Sequence, residues 1–294
     1  MQGTTTPGAA AAELDAVRRR GFGVAYRMLG SVAEAEDVAQ EAMLRYARAH
    51  EKVDEPTAWI TTVATRLSID ALRSARMSRE AYVGPWLPEP LIEDTAAGPA
   101  AQIEMADSLS QAFLVMLERL TPLERAAFLL RESFGYEYSQ IAAIIDRSDE
   151  NSRQLVTRAK KHLEASRPRF DPDEALRDEL LERFLAAAGA GDLEGLEQLL
   201  AEDAALYSDG GGKVIAARKP IFGAARIARV VAKIAEKQRR RGPFDARLVK
   251  VNGQPGRILR TADGTIWDVL SIDVVDGRIQ TVRVVRNPDK LAHV

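Results

Sequence analysis

Residues 120–163 read LTPLERAAFLLRESFGYEYSQIAAIIDRSDENSRQLVTRAKKHL, and the capping, apolar and basic residues of this stretch decide how the chain is read. Thr121 is a good helix N-cap, Pro122 suits the first helical position, and Glu124 stands three residues after the cap. A short second helix is predicted in YSQIAAIID and a third in DENSRQLVTRAKKHLEAS, with a tight turn at Asp146-Arg147-Ser148 between them. In the third helix Leu155, Val156, Ala159 and Leu163 share one face at helical spacing. The other face carries Asn151, Ser152, Arg153, Thr157, Arg158 and Lys161. Between 153 and 169 six cations (Arg153, Arg158, Lys160, Lys161, Arg167, Arg169) stand against one acid, Glu164. Phosphates call for that charge, and base edges are read by Arg, Asn, Ser and Thr near a helix start. Taken alone, the third helix reads first as a solvated helix whose basic end matches its dipole. Three short helices with a tight turn before the last favour a helix-turn-helix on duplex DNA. Asp146 fits less well, because a left-handed turn is easier for Gly or Asn.

The rest of the composition sets bounds. The 294 residues suffice for two or three domains with real cores. The formal net charge is −2, so any case for nucleic acid is local. Cys is absent, which excludes disulfides and thiolate metal sites and fits a cytoplasmic protein. No cofactor or metal is expected. No run approaches 18 uncharged apolar residues, so no membrane partner is expected.

Along the chain, residues 1–12 read as a flexible tail and 13–82 as wholly helical, with Gly30 stopping one helix, Ser31 capping the next and Pro56 opening a third. Residues 83–101 are a Pro-rich linker, poor material for a helix. Helices resume near Gln102 and run to about 168, and RPRFDPDE at 167–174 marks a second boundary. From 174 to 294 the pattern changes. Two helices, EALRDELLERFLAAAGAG and DLEGLEQLLAED, precede strand-like runs: AALYSD, KVIAARK, DARLVKVNG, GRILRTA, TIWDVLSIDVVDG and RIQTVRVVRN. Asn-Gly and Asp-Gly mark their turns as hairpins require, and a helix near 223–240 interrupts them. This is an α+β domain with a curved, mostly antiparallel sheet.

In the first helical region, Glu34, Asp37 and Glu41 lie on one helix side with Gln40 adjacent, opposite Val38 and Ala42. Such an acidic stripe is a solvated face unless a basic partner meets it. In residues 59–79, Ile60, Val63, Ala64, Leu67 and Ala71 make the buried stripe, while Arg66, Arg73, Arg76 and Arg79 oppose a single acid, Asp70. Trp59 reads first as core, although an aromatic at a helix start also stacks on an unpaired base.

The strings AEDVAQEAMLRYAR, PTAWITTVATRLSIDALRSAR and LTPLERAAFLLRESFGYEYSQIAAII resemble the sigma-70 family in its short extracytoplasmic-function (ECF) form. Residues 13–82 resemble region 2, a helical bundle, and 107–166 resemble region 4, a helix-turn-helix. IIDRSDENSRQL departs from the family, where a Gly-containing turn is usual. Three further strings, WLPEP (Trp86, Leu87, Pro88, Glu89, Pro90), DGGGK (Asp209, Gly210, Gly211, Gly212, Lys213) and NPDKL (Asn287, Pro288, Asp289, Lys290, Leu291), resemble the subgroup with a fused SnoaL-like domain of the NTF2-like fold. The resemblance implies a sigma factor that binds core RNA polymerase through Asp37, Gln40 and Glu41. It implies that Trp59, Arg66, Arg73, Arg76 and Arg79 meet the −10 element. Asn151, Ser152, Arg153, Thr157, Arg158, Lys160 and Lys161 would meet the −35 element of promoter DNA. The C-terminal domain would control the sigma regions in cis, with no separate anti-sigma protein, and WLPEP is expected to pack on it close to DGGGK. A second reading makes that domain a sensor with a small-molecule ligand. A third makes it a cyclase- or isomerase-type enzyme, with Tyr207, Asp209, Trp267 and Asp268 the candidate acid–base groups.

Overall fold

The structure, a computed structural model, describes residues 7–49, 53–92, 110–163 and 173–294, with only the backbone described at 7–10 and 75–80. The chain divides into two compact units. One joins residues 1–78 and 116–166, and the other joins 79–115 and 167–294.

In the first unit, α1 (Pro7–Leu29), α2 (Val32–Ala49) and α3 (Pro56–Glu80) precede α4 (Gln111–Leu117), which straddles the division. Then come α5 (Pro122–Glu132), α6 (Tyr138–Ile145) and α7 (Asp149–Leu163). α1 starts at Pro7, inside the stretch read as a tail. It ends where expected: Gly30 takes φ 67° and donates its N–H to the Tyr26 carbonyl at 2.8 Å. The Ser31 hydroxyl then accepts the Glu34 N–H at 3.2 Å and caps α2.

At α5 the capping box forms in both directions: Thr121 Oγ1 accepts the Glu124 N–H at 3.3 Å, and the Glu124 carboxylate accepts the Thr121 N–H at 3.0 Å. Asp146 does close α6 in the left-handed region, at φ 55°, ψ 60°. Leu155, Val156, Ala159 and Leu163 are buried, as their spacing predicts. Ser152 corrects the expected polar face: it is fully buried, and its hydroxyl donates to the Ser148 carbonyl one turn back at 3.0 Å.

Two buried arginines bond backbone carbonyls, and of these Arg125 ties helix ends together. Arg125 donates to the Met28 and Leu117 carbonyls, each at 2.7 Å, and pairs with Glu118 at 2.8 Å. Arg27 donates to the Gly23 carbonyl, and its guanidinium stands 5.2 Å from the Phe134 ring centre. Carbonyls left open at a helix C-terminus are the acceptors that such side chains satisfy.

The second unit carries α8 (Glu174–Ala190), α9 (Leu193–Leu199) and α10 (Ala224–Arg241) on a six-stranded sheet. Its strands are β1 (Leu200–Asp209), β2 (Ile221–Phe222), β3 (Phe244–Val251), β4 (Gln254–Thr261), β5 (Ile266–Val275) and β6 (Arg278–Val285), in the order β2-β1-β6-β5-β4-β3. β3 through β6 form an antiparallel meander, but β1 runs parallel to β6, so the sheet is mixed. KVIAARK, read as a strand, is irregular; the short β2 follows it. Asn252-Gly253 (φ 53° and 74°) and Asp276-Gly277 (φ 50° and 70°) make the tight hairpin turns their sequences announce.

Successive strand residues face opposite sides, and each side of the sheet has its own core. Phe184, Leu196, Leu206, Ile227, Leu270, Ile272 and Val282 pack under the helices. Val251, Ile258, Val269 and Val285 pack on the other side with Leu87 and Leu291. The second core is therefore closed by the linker and by the C-terminal 3-10 helix Pro288–Leu291.

Asp146 in the left-handed region carries a Cβ penalty that Gly lacks, on the order of 1 kcal/mol. Asp146→Gly should raise the unfolding free energy of the full chain by about that much. Chemical denaturation checks it; an unchanged or lowered midpoint contradicts the assignment.

Candidate DNA-reading surfaces and a buried linker lock

On α7, Arg153, Thr157, Arg158 and Lys161 are exposed and Asn151 is half-buried, so five of the seven expected −35 residues stay on an accessible face. Ser152 is removed from that set by its burial. Lys160 pairs with Glu132 at 2.8 Å and is held within the unit. Arg158 Nε stands 4.0 Å from Glu124, and the Arg153 guanidinium lies 5.3 Å from the Tyr138 ring centre.

On α2, Asp37, Gln40 and Glu41 are all exposed, while Val38 and Ala42 point inward. Glu41 pairs with Arg45 at 2.8 Å one turn on. On α3, Trp59 tilts against Tyr46 with ring centres 5.7 Å apart and joins the small core of Val17, Ala42 and Ile60. Arg73 is exposed beside Asp70, 3.2 Å away, and the side chains of Arg76 and Arg79 lie outside the described residues. Arg66 does something the sequence did not reveal. Its Nε donates to the Ile144 carbonyl at 2.8 Å and its Nη2 to the Ala143 carbonyl at 2.9 Å. A residue expected at the −10 element here caps the end of α6, the first helix of the helix-turn-helix.

In the second unit the structure brings WLPEP, DGGGK and NPDKL together around one carboxylate. Asp209, the last residue of β1, is fully buried. Its Oδ1 accepts the Tyr82 hydroxyl at 2.6 Å and the Gly211 N–H at 3.0 Å. Its Oδ2 accepts the Leu87 N–H at 2.9 Å and Lys290 Nζ at 2.8 Å. Its backbone carbonyl accepts the N–H groups of Arg286 and Asn287 at 2.7 and 2.9 Å. Lys290 is buried too; it also donates to the Leu87 carbonyl, and its ammonium stands 4.2 Å from the Trp86 ring centre and 4.9 Å from that of Tyr82. Asn287 Nδ2 donates to the Tyr82 hydroxyl at 3.0 Å, and its Oδ1 accepts the Asp289 N–H at 3.2 Å, capping the 3-10 helix. Lys213 pairs with Asp289 at the surface.

The glycines of DGGGK are required by this geometry. A Cβ on Gly210 would lie 2.6 Å from the Val214 carbonyl oxygen, and one on Gly211 would lie 2.3 Å from Asn287 Nδ2. Downstream, the linker continues as an added edge: the Leu91 N–H donates to Asn252 Oδ1 at 3.1 Å, the Asn252 N–H to the Leu91 carbonyl at 2.8 Å, and Ile92 bridges to Val251. His293 Nε2 sits 2.9 Å from the Pro90 carbonyl. Tyr82, Asn252 and His293 were not anticipated from the sequence, because their partners lie far along the chain and none of the three stands in a recurring spacing.

The other acid–base candidates have structural partners. Asp268 is buried against Arg257. Trp267 meets Phe244 edge-on and is approached by the guanidinium groups of Arg241 and Arg286, each 4.6 Å from a ring centre. Tyr207 packs against the linker-side core. Among the described residues no cluster of three or more His, Asp or Glu could hold a metal ion, and no helix is long and apolar enough to cross a membrane.

The Tyr82 hydroxyl is held well above its ordinary value of 10.0, first by burial and then by its hydrogen bond to the Asp209 carboxylate. Its contribution to stability is complete below pH 10 and is lost as pH climbs past 10 toward the raised value. Absorbance titration should show one fewer late-ionising tyrosine in Tyr82→Phe than in the parent; equal titration curves contradict the buried contact. Lys290→Met leaves the Asp209 charge buried without its cation and should cost about 3–5 kcal/mol in denaturant unfolding of the C-terminal unit. A loss below about 1 kcal/mol, the size expected for an exposed pair, overturns the lock.

Residues 14–77 match the family model for sigma-70 region 2, and 110–163 match that for sigma-70 region 4. Over 290 residues the chain is 36% identical to the ECF RNA polymerase sigma factor SigJ of Mycobacterium tuberculosis, covering 95% of this chain and 92% of that protein. It is 30% identical to the probable ECF RNA polymerase sigma factor SigI of the same species, covering 91% and 90%. The crystal structure of M. tuberculosis SigJ superposes with a TM-score of 0.78 at 32% identity, covering 96% of this chain and 98% of that one. With both sigma regions in order, the same fused C-terminal unit and similarity along nearly its whole length, the chain belongs to the extracytoplasmic-function family of RNA polymerase sigma factors.

Proposed function

We propose that this sigma factor, which directs RNA polymerase to promoters, is regulated from within its own chain by the lock around Asp209. The observation that carries the reading is that one buried carboxylate holds the linker, the glycine loop and the C-terminal helix at once. Regions 2 and 4 must span two promoter elements on the polymerase, and the linker between them supplies the reach. Residues 82–92 are pinned to the sheet, which withdraws up to about 35 Å of extended chain from that reach. The contact is intramolecular, so a modest interface stays populated without a separate anti-sigma protein. Arg66 is likewise engaged: region 4 must release the end of α6 before Arg66 can meet DNA at the −10 element.

In this reading Asp37, Gln40 and Glu41 dock the polymerase core, Arg153 and its neighbours Asn151 and Thr157 read bases in the major groove, and Arg158 and Lys161 meet phosphates. The protein works in the cytoplasm, where polymerase and promoter are. The C-terminal unit acts as a regulator and not as a catalyst, since Asp209 and Asp268, the acids of the alternative reading, are both held by cations.

The test is a chain ending before Asn287, which removes the lock's cation and leaves both sigma regions whole. Core binding should persist while promoter output in a reconstituted assay rises about 5-fold or more, the size of a coupling of 1 kcal/mol or more. Output equal to that of the full chain overturns regulation through the lock.

A further inference from the structure

Arg226, Arg229, Lys233, Lys237 and Arg240 follow one another along α10 at intervals of three and four residues, and every one is exposed. They form a stripe about 21 Å long on one helix face. The helix has a single acid, Glu236, which pairs with Arg240. Among the described residues Arg226, Lys233 and Lys237 make no ion pair. Beside the stripe, Gly191, Leu193, Arg229, Ala232, Lys233, Glu236 and Arg239 line an open groove with three cations and one acid.

Folding alone does not account for this pattern. Like charges at i,i+4 destabilise a helix by roughly 0.2–0.5 kcal/mol per pair, and alternating acids would have been favourable. The protein as a whole carries 41 basic and 43 acidic side chains, so the concentration is local. Nor does the helix suit a membrane surface. Its apolar face, with Ile227, Ala228, Val231 and Ala235, packs on the helix-side core, and Ile234 is the one large apolar side chain it exposes.

We propose that α10 is a second, sequence-independent DNA-binding surface that lies along the phosphate backbone upstream of the −35 element. Duplex DNA presents one negative charge per ~1.7 Å of axis, so a stripe this long meets a matching run of phosphates. The tether permits it: residues 164–172 between α7 and α8 span no more than about 35 Å, which keeps the C-terminal unit within reach of DNA flanking the site of the recognition helix. At such effective concentration, contacts too weak to bind alone add to promoter affinity. The proposal goes beyond regulation through the lock and rests only on promoter binding by the sigma regions.

The experiment compares the parent chain with Arg226→Gln, Arg229→Gln, Lys233→Gln, Lys237→Gln combined, each bound to core polymerase. Two promoter duplexes are used, one ending just upstream of the −35 element and one extending two helical turns further. All four side chains are exposed, and circular dichroism confirms the fold of the variant. On the long duplex, the slope of log affinity against log salt should fall by about 2–4 units in the variant, at roughly 0.9 unit for each phosphate that is no longer neutralised. On the short duplex the two proteins should bind alike. Equal slopes on the long duplex overturn the proposal. So does an equal fall on both duplexes, which would place the cations against the polymerase. A duplex with a scrambled −35 element reports promoter reading separately, so a failure of the sigma regions is distinguishable from a failure of α10.

Discussion

A carboxylate with no exposure to water is stable only if other groups replace its hydration, and Asp209 obtains four donors from three separate stretches of the chain. Tyr82 stands immediately before the linker and Leu87 within it, Gly211 comes from the loop that follows β1, and Lys290 from the C-terminal helix. None of these segments has enough apolar surface to fold alone. Held to one anion, they close the second face of the sheet, and Leu87 and Leu291 then complete a core that the strands leave open. Removing the cation would leave the charge uncompensated; removing the carboxylate would leave a buried ammonium. The charged pair therefore makes docking of the linker a single cooperative event.

The sigma unit uses the same device in another form. Arg66, from region 2, satisfies two carbonyls at the end of α6 in region 4, and Arg125 satisfies carbonyls at the ends of α1 and α4. For Arg125, buried and paired, this is structural. For Arg66, exposed on a helix facing promoter DNA in the proposed reading, one side chain has two uses that exclude each other. Competition between a helix end and a base is a simple way to make DNA reading depend on the arrangement of the two regions.

Much of this was legible in the sequence where the signal is local. The Thr121–Glu124 capping box, the Gly30 stop, the Asn252-Gly253 and Asp276-Gly277 turns and the buried stripe of α7 each follow from residues a few positions apart. Ser152 was misplaced because a small polar residue at a helix start fits either face, and only the packed structure shows its hydroxyl turned back to the Ser148 carbonyl. The parallel β1–β6 pair was hidden because it joins strands far apart in the chain, and a strand pattern carries no mark of direction. The three strings of the lock could be singled out, and WLPEP was expected close to DGGGK, but the part of Asp209 as their shared acceptor could not be read. The interaction of Tyr82 with Asp209 spans 127 residues, and that of Lys290 with Asp209 spans 81.

The central claim is that the linker is part of the folded C-terminal unit and that Asp209 holds it there. Hydrogen exchange at the Leu87 amide tests this most directly, because that N–H donates to the Asp209 side-chain carboxylate and not to a strand backbone. In the full chain it should exchange as slowly as the amides of β5 and β6, and in Asp209→Asn it should exchange at the rate of an open segment while the strands stay protected. Rapid exchange of Leu87 in the parent chain, or protection that survives Asp209→Asn, would contradict the account.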